Sequence, residues 1–428
     1  MKYLEADFRN AMQNKVRSRG ATQKELKGLE NKLKKAHEKL TRLRETAQQG
    51  FMDLPYEAVT ARLVNRLAKD VKKNFNNLIV VGIGGSDLGT RTIVNALGHT
   101  GDGVHVYFAG SNTDPDTLSA LLAEVDLKKT VINVVSKSGS TMETMSAFLL
   151  LREALIKKVG KKKHAAHIYV TTDKSGGTLQ SIAEGEGYTI IPHPLNVGGR
   201  FSVLSTVGLF PAACAGISVS KLLKGARQIE DEHRGRGHRS NPAKFAALHY
   251  LGYKKRGQHI HVCMPYADGL EDFGFWYCQL WAESLGKSDE VGPTPIAALG
   301  ATDQHSELQL YLEGPPNKII NLIKIKKFET DLAVPKTFKK YDALGYFSGK
   351  KLSVLNHAEL EATRKALTKK QVPNTLLTVP KISPESLGAL FMFYELACAY
   401  AGELFGINTY NEPGVRLEKD TAKRILSQ

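Results

Sequence analysis

Four cysteines and two tryptophans are few for 428 residues. Cys214, Cys263, Cys278 and Cys398 stand far apart, each in an apolar segment. The chain has no CxxC and no Cys/His pair at ligand spacing. That removes zinc-ribbon, redox-motif and disulfide-scaffold classes and leaves reduced core thiols as the expectation. Long uninterrupted apolar runs are also missing, so no membrane span is expected. The opening MKYLEADFRNAMQNKV lacks the apolar stretch of a signal peptide, which points to the cytoplasm. Acidic residues are in deficit, with 59 Lys and Arg against 43 Asp and Glu and a net charge of +16. The basic residues are scattered, apart from Lys161–Lys163 and the N-terminal helix, and carry no nucleic-acid motif. No nucleic-acid partner is expected, and attraction of an anionic metabolite accounts for the sign of the charge. A hydrophobic content of 42% and a charged content of 24% are ordinary for a globular chain. The length suffices for two or three domains with cores of their own.

Residues 22–48 carry Leu26, Leu29, Leu33, Leu40 and Leu43 at helical spacing among alternating charges. They predict an amphipathic helix that lies on the body or on a partner subunit. From residue 78 the pattern alternates. Strands are expected at 78–83, 104–109, 130–135, 167–171 and 188–191, with helical runs near 88–97, 116–122, 141–157 and 179–183 between them. Such alternation builds a parallel sheet covered on both faces, with ligands at the carboxyl ends of the strands. A helical stretch over about 201–216 follows. A second unit of similar grammar then has strands at 259–264, 318–325 and 374–379 and helices near 221–231, 242–256, 272–285, 358–368 and 384–405. The domains read as an N-terminal helical segment 1–50, a first α/β unit 51–218 and a second unit 219–428 that ends in a helical tail.

The stretch VINVVSKSGSTMETMSAFLLL, 131–151, organises the chain. A buried strand stops abruptly at Ser136-Lys137-Ser138-Gly139-Ser140-Thr141, and a helix starts there. Orphan amides, the positive helix end, four hydroxyls and one ammonium then converge on one spot, as an anion site requires. The plainer alternative, an N-cap cluster, needs only one of those hydroxyls. The first strand ends in Gly82-Ile83-Gly84-Gly85-Ser86-Asp87. Asp87 stands where a dinucleotide fingerprint needs its third glycine, and no Gly-Lys-Ser/Thr follows to make a P-loop. The small residues there suit close backbone approach to a sugar or phosphate. Gly198-Gly199-Arg200 puts a guanidinium at another helix start, where it can hold a developing negative charge or simply lie on the surface. Gln279-Leu280-Trp281-Ala282-Glu283 places a carboxylate beside aromatic rings, where partial withdrawal from water favours a general base; an exposed helical glutamate is the alternative. His305, in GATDQHSELQL, sits at a helix start and is more often structural than catalytic. Lys419 alone reads as solvated.

Seven stretches occur in order over some 340 residues: VGIGGSDLGT, FAGSNTDPDTL, SKSGSTMET, VGGRFSVLSTVGL, QLWAESLGK, GATDQHSELQL and YNEPGVRLEK. Together they resemble the glucose-6-phosphate isomerase (phosphoglucose isomerase) family. The resemblance implies two doubly wound sugar-isomerase (SIS-type) domains with parallel sheets, an N-terminal helix, a C-terminal helical tail and a homodimer. It also implies interconversion of glucose 6-phosphate and fructose 6-phosphate, a sugar-phosphate substrate, and neither metal nor organic cofactor. By resemblance Ser86, Ser136, Lys137, Ser138 and Thr141 hold the phosphate, and Gly85, Gly199 and Gln279 contact the substrate. Glu283 matches the base that works through a cis-enediol, and Arg200 the arginine that stabilises the enediolate. His305 and Lys419 match the ring-opening pair, with the histidine reaching the site from the neighbouring subunit. The last stretch departs from the family pattern Gln-x-Gly-Val-Glu. Here Glu412 stands near the substrate and Arg416 replaces the glutamate, which predicts that the two pair one helical turn apart. A sugar-phosphate sensor without chemistry would have no need of Glu283, His305 and Lys419. Acceptance of mannose 6-phosphate stays open.

Overall fold

The structure is a computed structural model that describes residues 2–98, 101–173 and 176–428. Among the described residues ten strands form two five-stranded sheets. The first sheet contains β2 (Asn77–Val81), β3 (His105–Ala109), β4 (Thr130–Val135), β5 (Ile168–Thr172) and β6 (Thr189–Pro192). Their order is β3-β2-β4-β5-β6, and every pairing is parallel. The five strands expected in this half are therefore present, within a residue or two. β4 is buried at all six positions, which is why its sequence is apolar without alternation.

The second sheet has the order β1-β10-β9-β7-β8, from β1 (Glu5–Asp7), β7 (Ile260–Pro265), β8 (Thr294–Ala297), β9 (Lys318–Ile325) and β10 (Asn374–Val379). Leaving aside β1, which runs antiparallel to β10, the order β8-β7-β9-β10 repeats the order β3-β2-β4-β5 of the first sheet. In each sheet the chain moves first to one side of its opening strand and then to the other. The switch points therefore lie between β2 and β4 and between β7 and β9, and ligands bind beside such points. Duplication is visible in topology, although the residues carry no repeat.

Two strands escaped the sequence reading, and each has a physical reason. β8 contains Pro295, a residue that argues against a strand except at a sheet edge, which is where β8 lies. β1 is three residues long, EAD, and also lies at an edge. Through β1 the N-terminal segment joins the second sheet. The helix Glu30–Glu45 buries Leu33, Ala36 and Leu40 against the body of its own chain. A buried polar chain fixes it further. Arg44 donates to Glu230 at 2.6 Å, Glu230 bonds His233 at 3.0 Å, and Tyr400 joins His233 (3.0 Å) to His37 (2.9 Å). Each group satisfies the next, as burial demands.

The core helix Pro384–Phe405 runs through the middle of the helical layer, against Val219–Arg236, Asn241–Arg256 and Glu271–Leu285. It is long and apolar enough to cross a membrane, which corrects the expectation that no run reaches that length; 94% of its most apolar window is buried inside the fold. The approach of its neighbour is close. A Cβ on Gly225 would lie 1.8 Å from the Glu385 carbonyl oxygen, so only glycine fits there. The four cysteines are free, as expected. Burial pushes the Cys398 thiol up to about 12 and that of Cys278 up to about 11, which keeps both unreactive.

Candidate active site

Three chain segments meet where the first sheet faces the helix Glu271–Leu285. The turn after β2, the turn Gly199–Phe201 and the last two turns of that helix line one junction. Backbone contact brings the first two together: a Cβ on Gly85 would lie 2.2 Å from both the carbonyl carbon and the oxygen of Gly199. Glycine at 85 is thus a steric requirement of the junction. A Cβ on Gly84 would meet Gln279 Nε2 at 2.7 Å, so the helix closes on the same turn.

Arg200 is the hub. Its side chain is 4% exposed and its nitrogens are almost fully engaged. Nε donates to Ser284 Oγ at 2.8 Å, and Nη2 donates to the carbonyls of Thr409 (2.7 Å) and Asn411 (3.2 Å). Nη1 alone faces carboxylates, with Glu412 Oε2 at 3.0 Å and Glu283 Oε1 at 3.5 Å. Gln279 Nε2 donates to Glu283 Oε2 at 3.2 Å and orients the carboxylate. The other amide atom of Gln279, Oε1, is buried with no partner among the described residues, an acceptor left open for a ligand hydroxyl. Lys287 closes the far side. Its ammonium donates to the Glu283 carbonyl at 2.7 Å and to the Asn411 carbonyl, and burial, then the nearby Arg200 charge, lowers its pKa.

Two expectations change here. Glu283 was expected beside aromatic rings; instead Trp281 is fully buried, with its indole N–H on His261 at 2.8 Å, and the surroundings of Glu283 are Gln279 and Arg200. One helix cannot present residues two apart on the same face, and the apolar face takes Trp281. Glu412 was expected to pair with Arg416. It pairs with Arg200, and Arg416 lies 3.8 Å from Asp420, one turn further on. Glu412 precedes the C-terminal helix Val415–Leu426, so it shares no helical face with Arg416.

The turn after β4 is the second feature. β4 pairs with β2 in register, so Ser136 and Ser86 emerge at the same sheet edge, on either side of the switch point. Ser136 Oγ accepts from the Gly139 amide at 3.0 Å, and the Ser138 and Ser140 hydroxyls bond each other at 2.9 Å. Thr141 takes the N-cap position of the helix Met142–Val159 but makes no side-chain cap bond, so its hydroxyl is free of that duty. Lys137 donates to the Leu195 carbonyl at 3.0 Å and ties the turn to the segment that carries Arg200. An open cavity of about 610 Å³ lies between this turn and the C-terminal helix, lined by Ser138, Thr141, Lys419 and Lys423 among others. Lys419 therefore stands across from the hydroxyls.

His305 is not brought in. It is exposed on the short helix Thr302–Ser306 after β8, and no hydrogen bond or ion pair joins it to Glu283, Arg200 or Lys419 among the described residues. Sequence reasoning missed Ser284, Lys287 and the carbonyls of Thr409 and Asn411. The first two lie in the QLWAESLGK stretch and could have been taken up with it. The carbonyls leave no mark in a sequence. No group of three or more His, Cys, Asp or Glu side chains among the described residues has the arrangement of a metal site.

Two sheets of one topology, a hydroxyl-rich turn at a switch point and a carboxylate set against a guanidinium fit the class of phosphosugar isomerases. A profile of the family described as phosphoglucose isomerase matches residues 65–428. The glucose-6-phosphate isomerase of Rubrobacter xylanophilus is 42% identical over 381 residues, 86% of this chain and 87% of its own length. That of Carboxydothermus hydrogenoformans is 36% identical over 442 residues, 99% of this chain and 95% of its own. A crystal structure of a hypothetical protein from Thermus thermophilus superposes with a TM-score of 0.91 at 34% identity, covering 99% of this chain and all of that one. A glucose-6-phosphate isomerase from Chlamydia trachomatis gives 0.76 at 27% identity, covering 86% of this chain and 73% of its own. The chain belongs to the phosphoglucose isomerase family and interconverts glucose 6-phosphate and fructose 6-phosphate, a step of glycolysis and gluconeogenesis.

Proposed function

We propose that Glu283 is the base of this isomerisation and Arg200 the group that carries the negative charge it creates. The observation behind this reading is the 3.5 Å approach of Glu283 Oε1 to Arg200 Nη1, with Glu283 oriented by Gln279. Glu283 takes the proton from carbon 2 of the open-chain aldehyde, and the electron pair moves through the new double bond onto the carbonyl oxygen. The resulting cis-enediolate lies against Arg200, whose fixed guanidinium needs no reorganisation as charge develops. The carbon-2 hydroxyl proton passes to the carbon-1 oxygen, and return of the carbon-bound proton from Glu283 to carbon 1 then gives the ketose with its carbonyl at carbon 2. The open acceptor of Gln279 and the backbones of Gly85 and Gly199 hold the sugar between base and guanidinium.

Ser86, Ser136, Lys137, Ser138 and Thr141 form the phosphate cradle in this reading. Remote binding of the phosphate fixes the reacting carbons in place. Lys419, across the cavity from the cradle, works on the ring oxygen together with His305. His305 is remote within one chain, so a homodimer that supplies it from the partner subunit completes the site. Residues 51–218 form the phosphate-binding unit and 219–428 the second, with the segment 1–50 seated on the latter through β1. The enzyme is cytoplasmic, needs no metal or organic cofactor, and has neither nucleic acid nor membrane as a partner.

The test is turnover of glucose 6-phosphate in an assay coupled to fructose 6-phosphate, run with a chelator present. Full activity is expected in the wild type. In Glu283→Gln a loss of about 10²–10⁴-fold is expected, the usual contribution of a positioned general base. A variant as active as the wild type contradicts the assignment.

A further inference from the structure

Glu412 is a second carboxylate on the same guanidinium nitrogen as Glu283. Arg200 does not need it for anchorage, because Ser284 and the carbonyls of Thr409 and Asn411 already hold Nε and Nη2 from the buried side. Nη1 is the nitrogen that meets carboxylates, with Glu283 Oε1 at 3.5 Å and Glu412 Oε2 at 3.0 Å. The two carboxylates are also unlike. Glu283 is held by Gln279 and its side chain is 26% exposed, whereas Glu412 is 48% exposed and its one side-chain hydrogen bond among the described residues is to Arg200. It stands on the short connection between the core helix and the C-terminal helix. Glu412 is thus the carboxylate that can leave.

We propose that Glu412 is an internal counter-anion of Arg200, occupying in the resting site the Nη1 position that the enediolate oxygen takes during turnover. The proposal rests on the reading of Arg200 given above. Charge supports it. The resting cluster holds two cations, Arg200 and Lys287, and two carboxylates, Glu283 and Glu412; both carboxylates meet Arg200, and Lys287 feels their charge while bonding the Glu283 carbonyl. Glu283 is neutral once it holds the carbon-2 proton, so the enediolate oxygen and Glu412 are then the two negative groups that compete for Nη1; an anionic mimic bound beside an ionised Glu283 adds an unmatched negative charge while Glu412 stays. When Glu412 swings into solvent, its carboxylate is rehydrated and the oxyanion inherits the bond to Nη1. No covalent bond changes in this exchange. Anionic mimics of the intermediate must displace Glu412, whereas a neutral ligand head group has no such competitor. Glu412 is therefore a positioning residue that sets how strongly the site discriminates between charged and neutral head groups.

Calorimetric binding of two phosphorylated ligands tests this. One is a five-carbon aldonate phosphate, whose carboxylate stands in for the enediolate. The other is the corresponding alditol phosphate, uncharged at that end. Glu412→Gln keeps shape and removes the competing charge at a half-exposed position, where folding is not at stake; Glu412→Ala serves as a second variant. Both are expected to bind the aldonate about tenfold tighter than the wild type, the scale of one partly solvated charge-assisted bond, and the alditol within about twofold. Unchanged or weaker aldonate binding, or an equal gain for both ligands, overturns the proposal. Arg200→Gln, which removes the charge, separates its failure from that of the underlying reading. If that variant keeps the wild-type preference for the aldonate, Arg200 does not face the oxyanion and the mechanism itself is wrong. If the preference is lost while the Glu412 variants change nothing, the counter-anion alone fails.

Discussion

At the scale of single residues, the most exceptional group lies outside the Arg200 cluster. Glu395, in the middle of the core helix, is fully buried, and neither carboxylate oxygen has a hydrogen-bond partner among the described residues. Burial holds its pKa well above the ordinary value of 4.5, so the folded chain keeps a proton there that the unfolded chain releases. The sign follows. The stabilising contribution of this raised pKa is fully present below the unfolded value and is lost as pH rises through the folded one. Across that window the term has a slope of at most about 1.4 kcal/mol per pH unit. Urea unfolding at a series of pH values above 4.5 is expected to show Glu395→Gln gaining on the wild type as pH rises. Parallel curves for the two proteins contradict a neutral Glu395. Around Arg200, the sequence made the side chains legible but not the order among them. SKSGST and VGGR announce hydroxyls and a guanidinium at helix starts by composition alone. That Arg200 spends four of its contacts on Ser284, Glu412 and two carbonyls depends on how the end of the core helix returns to the cluster, which local pattern does not encode.

Elements were legible where one physical signal dominated. Buried parallel strands such as β4 and β9 declared themselves as apolar runs bounded by polar turns, and the sequence located them to within two residues. The two that escaped, β1 and β8, are edge strands whose chemistry, acidic in one and proline-bearing in the other, reads as loop. The core helix shows the converse. Its composition satisfies a membrane criterion, and only its helical neighbours explain why so apolar a stretch is stable in this fold. The C-terminal helix posed the hardest problem. All of its twelve residues escape burial, so no periodic apolar contact fixes where its first turn begins. The predicted Glu412–Arg416 pair failed for that reason: Glu412 lies before the helix and answers to Arg200 instead. The same geometry puts Lys419 opposite Ser138 and Thr141, a relation between residues nearly three hundred positions apart.

For the whole molecule, the repeated strand order explains why the site forms where it does. Each sheet has a switch point, and the helix following β7 crosses to the loops of the first sheet, so Glu283 and the hydroxyl-rich turn after β4 come from different halves. Alternation in the sequence was enough to predict two α/β units. It could not reveal that their strand orders match or that the N-terminal strand completes the second sheet. His305 is exposed and apart from the Arg200 cluster within one chain. A mixture of two inactive variants, Glu283→Gln and His305→Ala, tests its proposed arrival from the partner subunit. In a randomly assorted dimer half of the molecules are mixed, and each of those has one site with both groups intact. Recovery of about a quarter of wild-type activity is expected, with subunit exchange allowed to reach equilibrium. If both groups act within one chain, the mixture stays as inactive as its components.

The central claim is that Glu283 moves a carbon-bound proton beside Arg200. Its most direct measurement is the entry of solvent deuterium at carbon 2 of glucose 6-phosphate, followed by NMR in heavy water for the wild type and Glu283→Gln. An enediol intermediate whose proton rests on a carboxylate 26% open to solvent predicts progressive exchange in the wild type. It predicts exchange at least about 10²-fold slower in the variant. A wild type that reaches sugar equilibrium with carbon 2 still fully protonated, or a variant that exchanges at the wild-type rate, would contradict the account.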